Sequence, residues 1–271
     1  MTTLLSSTLI TSRPPPSFAK AGLIISSIKD PIIISFSLSG RLGKASRSIV
    51  LTKEAFFSFS IICFGALFRK DLFFSLLLFS LLVIFIFDYI LGGSSSVLLS
   101  IVPALFWIAV MLGATLGISR ALSLEIQNGA FYGVLLTPVS RESIFLAKVI
   151  SMVVLMTFME LILILAMVIL FDFWFFNIFY FLGGILLTTV GLATVGVFVA
   201  YISANTTVAE VMMPLLFFPI ILPLIVGGME IMDFALWGGD IVAMYKWLGF
   251  VFVFDMLFLT VCSFSFGLIV R

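Results

Sequence analysis

Two carboxylates, Glu160 and Asp255, sit inside long apolar runs, "LMTFMELILIL" and "VFVFDMLFL". An acid in such surroundings is costly and marks a substrate path, a proton relay or a hidden hydrogen bond. No basic residue stands at matching depth to pair with either, Glu160 being nearly central in its run and Asp255 about eight residues into the last one. Each is therefore protonated, bonded to Ser or Thr, or set against a wet cavity, and a structural and a translocation role both stand. Other reactive groups are scarce. The chain has no histidine, so the commonest general base and metal or haem ligand is missing. Cys63 and Cys262 lie far apart in apolar stretches and form no CxxC motif, which fits inert packing. No GxxxxGK[ST] loop is present either, so the chain cannot hold a nucleotide by that device. Catalytic, metal and directly bound cofactor residues are all expected to be absent.

The other chemistry-bearing stretch is "LEIQNGAFYGVLLTPVSRESIFLAK", residues 124–148. It opens on Glu125 and the helix-interrupting Gly129. An apolar turn with Tyr132, Leu135 and Leu136 follows, and then Thr137-Pro138. A fresh helix starts at Ser140-Arg141, with Ser140 placed to cap it and Pro138 closing what precedes. This pattern predicts a short helix with exposed apolar residues between two spans. Such a helix docks into a groove on a soluble partner, or it is an ordinary interfacial connector.

The elements that must position these residues are set by the solvent. Of 271 residues, 63% are hydrophobic and 10% charged, and mean hydropathy is +1.35. Soluble domains are about 45–50% apolar and about 25% charged, so the chain is an integral membrane protein with lipid as its surroundings. A net charge of +1 gives no footing for nucleic acid.

Residues 1–55 carry "MTTLLSSTLITS", "RPPPS" and seven Lys/Arg against two acids. No apolar run there reaches the roughly 18–20 residues a crossing needs, so they read as a poorly ordered extension. Residues 56–71, ending at Arg69-Lys70-Asp71, fit an interfacial entry segment. Residues 72–271 then form an all-α domain of six transmembrane helices, near 72–91, 97–118, 144–170, 178–202, 208–228 and 247–269. Runs this long and continuous satisfy their own backbone only as helices. Nine of fourteen Lys/Arg precede the first span, and Arg120, Arg141 and Lys148 flank the second connector. Asp172, Glu230, Asp233 and Asp240 fall on the opposite connectors. The positive-inside rule places both termini and the 119–143 loop in the cytoplasm.

Two further patterns concern packing. Pro214, Pro219 and Pro223 crowd the fifth span; each removes an amide donor, giving a permanent kink or a hinge used in transport. Gly196, Ala200 and Ala204 repeat at four-residue steps in the fourth span, a small-residue strip for close helix approach. It serves packing within one subunit or the seam of a homodimer.

The order Glu125, Gly129, Leu135-Leu136, Pro138 and Lys148 resembles the first cytosolic loop of type-2 ABC-transporter permeases. Within that group it is most similar to the haem exporter protein B (CcmB) family of system I cytochrome c maturation. "ALFRKDL" resembles that family's entry, "IVPALFWIAVMLGATLGISRAL" its second span and "LLTPVSRESIFLAKV" its loop and third-span start. "FPIILPLIV" resembles its Pro-x-x-x-Pro span, and the likeness runs from about residue 69 to the C-terminus. Where the family has an acid or amide after the loop glycine, this chain has Tyr132-Gly133, and the family's amphipathic segment before the first span is missing.

The resemblance implies a permease without enzymatic activity of its own. Its ATP-binding subunit would grip Glu125, Gly129, Tyr132, Leu135, Leu136, Pro138 and Arg141. It also implies a haem-handling membrane partner, haem as the handled species, and an inner (cytoplasmic) membrane or its mitochondrial counterpart. Competing readings are an export permease for a lipid, polysaccharide or drug, a non-transporting assembly factor, and a membrane-embedded transferase. Scattered acids and missing His weigh against the transferase.

Overall fold

The computed structural model describes residues 70–91, 95–127, 140–172, 176–204 and 209–269. They form six α-helices: α1 Lys70–Leu91, α2 Ser95–Gln127, α3 Arg141–Phe171, α4 Ile178–Ala204, α5 Ala209–Trp237 and α6 Ile241–Ile269. The expected extension 1–55, most of the entry segment 56–71 and Cys63 lie outside the described residues, as do Gly129, Tyr132, Leu135, Leu136 and Pro138.

Helix ends follow side-chain chemistry, not hydropathy. Ser140 caps α3, its Oγ accepting from the Ser143 amide at 3.4 Å. Asn177 Oδ1 accepts from the Phe179 amide at 3.1 Å and Asp240 Oδ1 from the Val242 amide at 2.9 Å, which starts α4 and α6. Each satisfies an orphan N–H of a first turn. Gly238, at φ 75°, ends α5 with its amide on the Phe234 carbonyl at 2.9 Å, the left-handed stop that glycine adopts without a Cβ penalty.

Three helices differ from the expected bounds. α2 continues past residue 118 to Gln127, α5 continues past 228 to Trp237, and α6 begins at Ile241, not 247. Glu230 and Asp233 therefore lie on α5 and not in a connector. Asp255 is fourteen residues into its helix and not eight.

Five helices are long and apolar enough to cross a membrane, and in α1 the apolar stretch is the shorter Leu76–Ile90. The middle of the bundle is α4, whose span is 72% buried, against 17% for α6. It packs on α5, α6, α3 and α2, while α1 lies against α2 and α3. Close approach comes from glycines. A Cβ at Gly117 would meet Leu76 Cδ1 at 2.7 Å, and one at Gly113 would overlap Ser80 Oγ. Ser80 Oγ also donates to the Ala109 carbonyl at 3.1 Å. Because Leu76 meets Gly117 while Ser80 meets Gly113 and Ala109, α1 runs antiparallel alongside α2.

Candidate functional site at the α2–α3 end and within the bundle

The acid Glu125 stands in the last turn of α2, not in a separate loop helix. It forms an ion pair with Lys148 of α3, with Lys148 2% and Glu125 15% exposed. A buried charge is tolerated when paired and hydrogen-bonded, so the two side chains brace α2 against α3 across the segment that joins them. Glu125, expected to contact a partner, has an ion-pair partner within the chain. Lys148 was visible in the sequence as a cation two turns into an apolar helix, the signal that it needs an acid nearby.

Arg141, in the first turn of α3, donates from Nη1 to the Gly267 carbonyl at 3.5 Å. A guanidinium there meets the last, intrahelically unpaired carbonyls of α6 and the negative end of its dipole. Aromatic contacts stiffen the same end: Phe145 of α3 lies 5.4 Å and Tyr201 of α4 5.0 Å, centroid to centroid, from Phe266 of α6. Four helices are thus tied together around the ends of the 128–139 segment.

Glu160 is fully buried on α3, and Thr189 Oγ1 of α4 lies 2.8 and 2.9 Å from its two oxygens. The same hydroxyl reaches the Ile185 carbonyl at 2.8 Å. Of the three options the sequence left open for this acid, a Thr partner is the one seen. Asp255 differs: it is 3% exposed, and neither oxygen has a hydrogen-bond partner among the described residues. The two carboxylates occupy different contacts of α4, Glu160 at Thr189 and Asp255 at Gly191. No group of three or more His, Cys, Asp or Glu stands together among the described residues.

Pro214, Pro219 and Pro223 all lie within the continuous helix α5, with Pro219 and Pro223 exposed and Pro214 half-buried. Gly196 faces inward: a Cβ there would overlap Ile118 of α2 and come within 3.3 Å of Phe217 of α5. Ala200 is buried beside it and Ala204 half-buried. Sequence reasoning passed over Thr189, Trp107 and the Lys148–Glu125 pairing. The threonine pair in "LLTTVG" was the available signal for the first.

A family model described as CcmB protein matches residues 66–271. The chain belongs to the CcmB family. This family is the permease component of the ccm haem export ABC system in cytochrome c maturation. As such a permease, the chain is a multi-pass membrane protein and is not itself catalytic. ATP hydrolysis belongs to an ATPase partner of the ABC complex, CcmA. A search of curated proteins returned no match.

Proposed function

We propose that the α2–α3 end is the face through which the ATPase drives the permease, with residues 124–138 contributing the docking element and haem as the handled species. The observation that carries this reading is the buried Lys148–Glu125 pair at the mouth of the 128–139 segment. Any displacement of that segment is passed directly to α3, and through Arg141 to the end of α6. Six crossings with both termini in the cytoplasm put this end on the ATPase's side, as the distribution of Lys and Arg supports. The antiparallel seating of α1 on α2 supports counting α1 among the crossings. A haem-handling membrane subunit completes the complex. The membrane is the inner membrane of a bacterium or of a mitochondrion, and the chain keeps no resident cofactor.

Replacing Leu135 and Leu136 together with Asp tests the docking role. A charge forced into an apolar groove without a partner costs several kcal/mol, so the ATPase should be lost from pull-downs while membrane yield stays at wild type. Retention of the ATPase at wild-type ratio would reduce the segment to a connector.

A further inference from the structure

Where α4 starts, α5 ends and α6 starts, two phenols meet on the surface of the bundle. The hydroxyls of Tyr180 on α4 and Tyr245 on α6 lie 3.1 Å apart, one donating to the other. Tyr180 is held by its neighbours: its ring meets Phe234 of α5 edge-on at 5.8 Å and Tyr245 at 6.3 Å. The Asn177 amide donates to the Ala235 carbonyl at 3.0 Å, which ties the start of α4 to the end of α5. Buried Met244 sets the turn of α6 that leaves Tyr245 54% exposed, whereas Tyr180 is half-buried. Beside this pair the surface is bare. Gly183, three residues after Tyr180, and Gly249, four after Tyr245, each have nothing within 4 Å of an added Cβ. Those spacings put each glycine on the same helix face as its tyrosine. The central helix α4 is exposed only at this end: Phe179, Leu182, Gly183 and Leu186 form one stripe, and no residue of α4 beyond Leu186 is exposed.

We propose that the Tyr180–Tyr245 pair is a binding site for a ferric porphyrin in transit, with Tyr245 as the axial ligand of its iron. The inference rests on haem being the handled species, and adds where on this chain its iron is held. Haem iron takes its protein ligands from His, Cys, Met or Tyr. This chain has no His, and Cys262 is 2% exposed. An accessible phenol is what the cluster offers instead. Tyrosine binds ferric iron as the phenolate, its proton passing to water at the exposed edge. The phenolate oxygen then accepts from the second phenol, a charge-assisted bond stronger than one between two neutral hydroxyls. Tyr245 is the more accessible of the two, so Tyr245 ligates and Tyr180 donates. The second phenol is also what separates this pair from Tyr89, an exposed tyrosine of α1 with no phenol partner among the described residues. Bare backbone at Gly183 and Gly249 and the apolar stripe of α4 leave a flat macrocycle room beside the phenols. Charge fits as well. Lys246, next in the chain, is exposed and forms no ion pair among the described residues, which leaves a cation for the carboxylates of the ring. Asp240, the nearest acid in sequence, is turned back onto the Val242 amide at 2.9 Å to cap α6.

Hemin titrated into the full-length chain in lipid nanodiscs tests the site, read by the phenolate-to-iron charge-transfer band and by tyrosinate modes in resonance Raman spectra. The wild type should show both. Tyr245→Phe should lose both, and Tyr89→Phe should change neither. Tyr180→Phe should keep the band but bind about tenfold more weakly, through loss of one hydrogen bond to a charged oxygen. Lys246→Ala should weaken binding by about fivefold, as a solvent-screened charge pair does. Iron-free protoporphyrin should bind the wild type and Tyr245→Phe alike, since it has no iron to ligate. A signature that is absent from the wild type, or that survives Tyr245→Phe, overturns the site and makes the cluster an interfacial aromatic belt only. Hemin bound without that signature removes this site while haem stays the handled species. The handled-species reading fails by a separate measurement: c-type cytochromes maturing at wild-type yield in cells that lack the chain.

Discussion

At the scale of residues, the ion pair between Lys148 and Glu125 ties α2 to α3. Removing Glu125 leaves Lys148 buried and unpaired, so Glu125→Ala should destabilise the bundle by about 3–5 kcal/mol. Exchanging the two residues, Glu125→Lys with Lys148→Glu, keeps the pair and should recover most of that loss. Thermal unfolding in detergent checks both, and a double exchange no better than the single variant would show that the charges act separately. The sequence showed each charge but not the pairing, because they stand twenty-three residues apart across the 128–139 segment. For Glu160 the reverse holds: its depth was legible from the apolar run, and a Thr partner was one of three options that run allowed. Its hydroxyl came from a different helix, which no local pattern reveals.

At the scale of elements, the helices were legible because lipid leaves a long apolar segment no other way to satisfy its backbone. Their ends were not. Hydropathy marks where hydrocarbon stops, whereas a helix stops where its terminal N–H and C=O groups find other partners. Gly227-Gly228 looked like the end of a span, yet α5 runs on because Gly228 is packed on Thr188 and Trp107. The true stop is Gly238, where the backbone turns left-handed, and Asp240 then starts the next helix. Packing on α4 gives a sharp contrast between two of its glycines. Gly196 has Ile118 and Phe217 in the space a side chain needs, while nothing lies within 4 Å of a Cβ at Gly183. Gly196→Val should therefore cost about 1–3 kcal/mol through overpacking. Gly183→Val, exposed on the same helix, should lose nothing to packing. Equal melting temperatures for the two variants would contradict the inward placement of the Gly196 strip.

At the scale of the whole molecule, the open question is how the six helices thread the bilayer, and α1 decides it. Its apolar stretch, Leu76–Ile90, is shorter than those of the other five. The whole helix nevertheless has 22 residues, about 33 Å at 1.5 Å per residue, enough for a hydrocarbon core of about 30 Å. It also lies antiparallel along α2, with Leu76 on Gly117 and Ser80 on Gly113, and an element seated lengthwise on a span shares that span's direction. If α1 crosses, both termini lie on one side. Nine of fourteen Lys/Arg precede residue 72, so the positive-inside rule predicts the cytoplasm for that side. If α1 lay flat in the interface, the N-terminal residues and the 92–94 connector would share a side, and the two termini would lie on opposite faces. Reporter fusions separate these arrangements. Fusions at Gly93, Phe176 and Gly239 should report the far side, and fusions at Asn128 and Asn205 the cytoplasm. A further fusion at the N-terminus separates crossing from flat: it should read cytoplasmic, opposite Gly93, when α1 crosses. A far-side reading at both the N-terminus and Gly93 would remove α1 from the crossings.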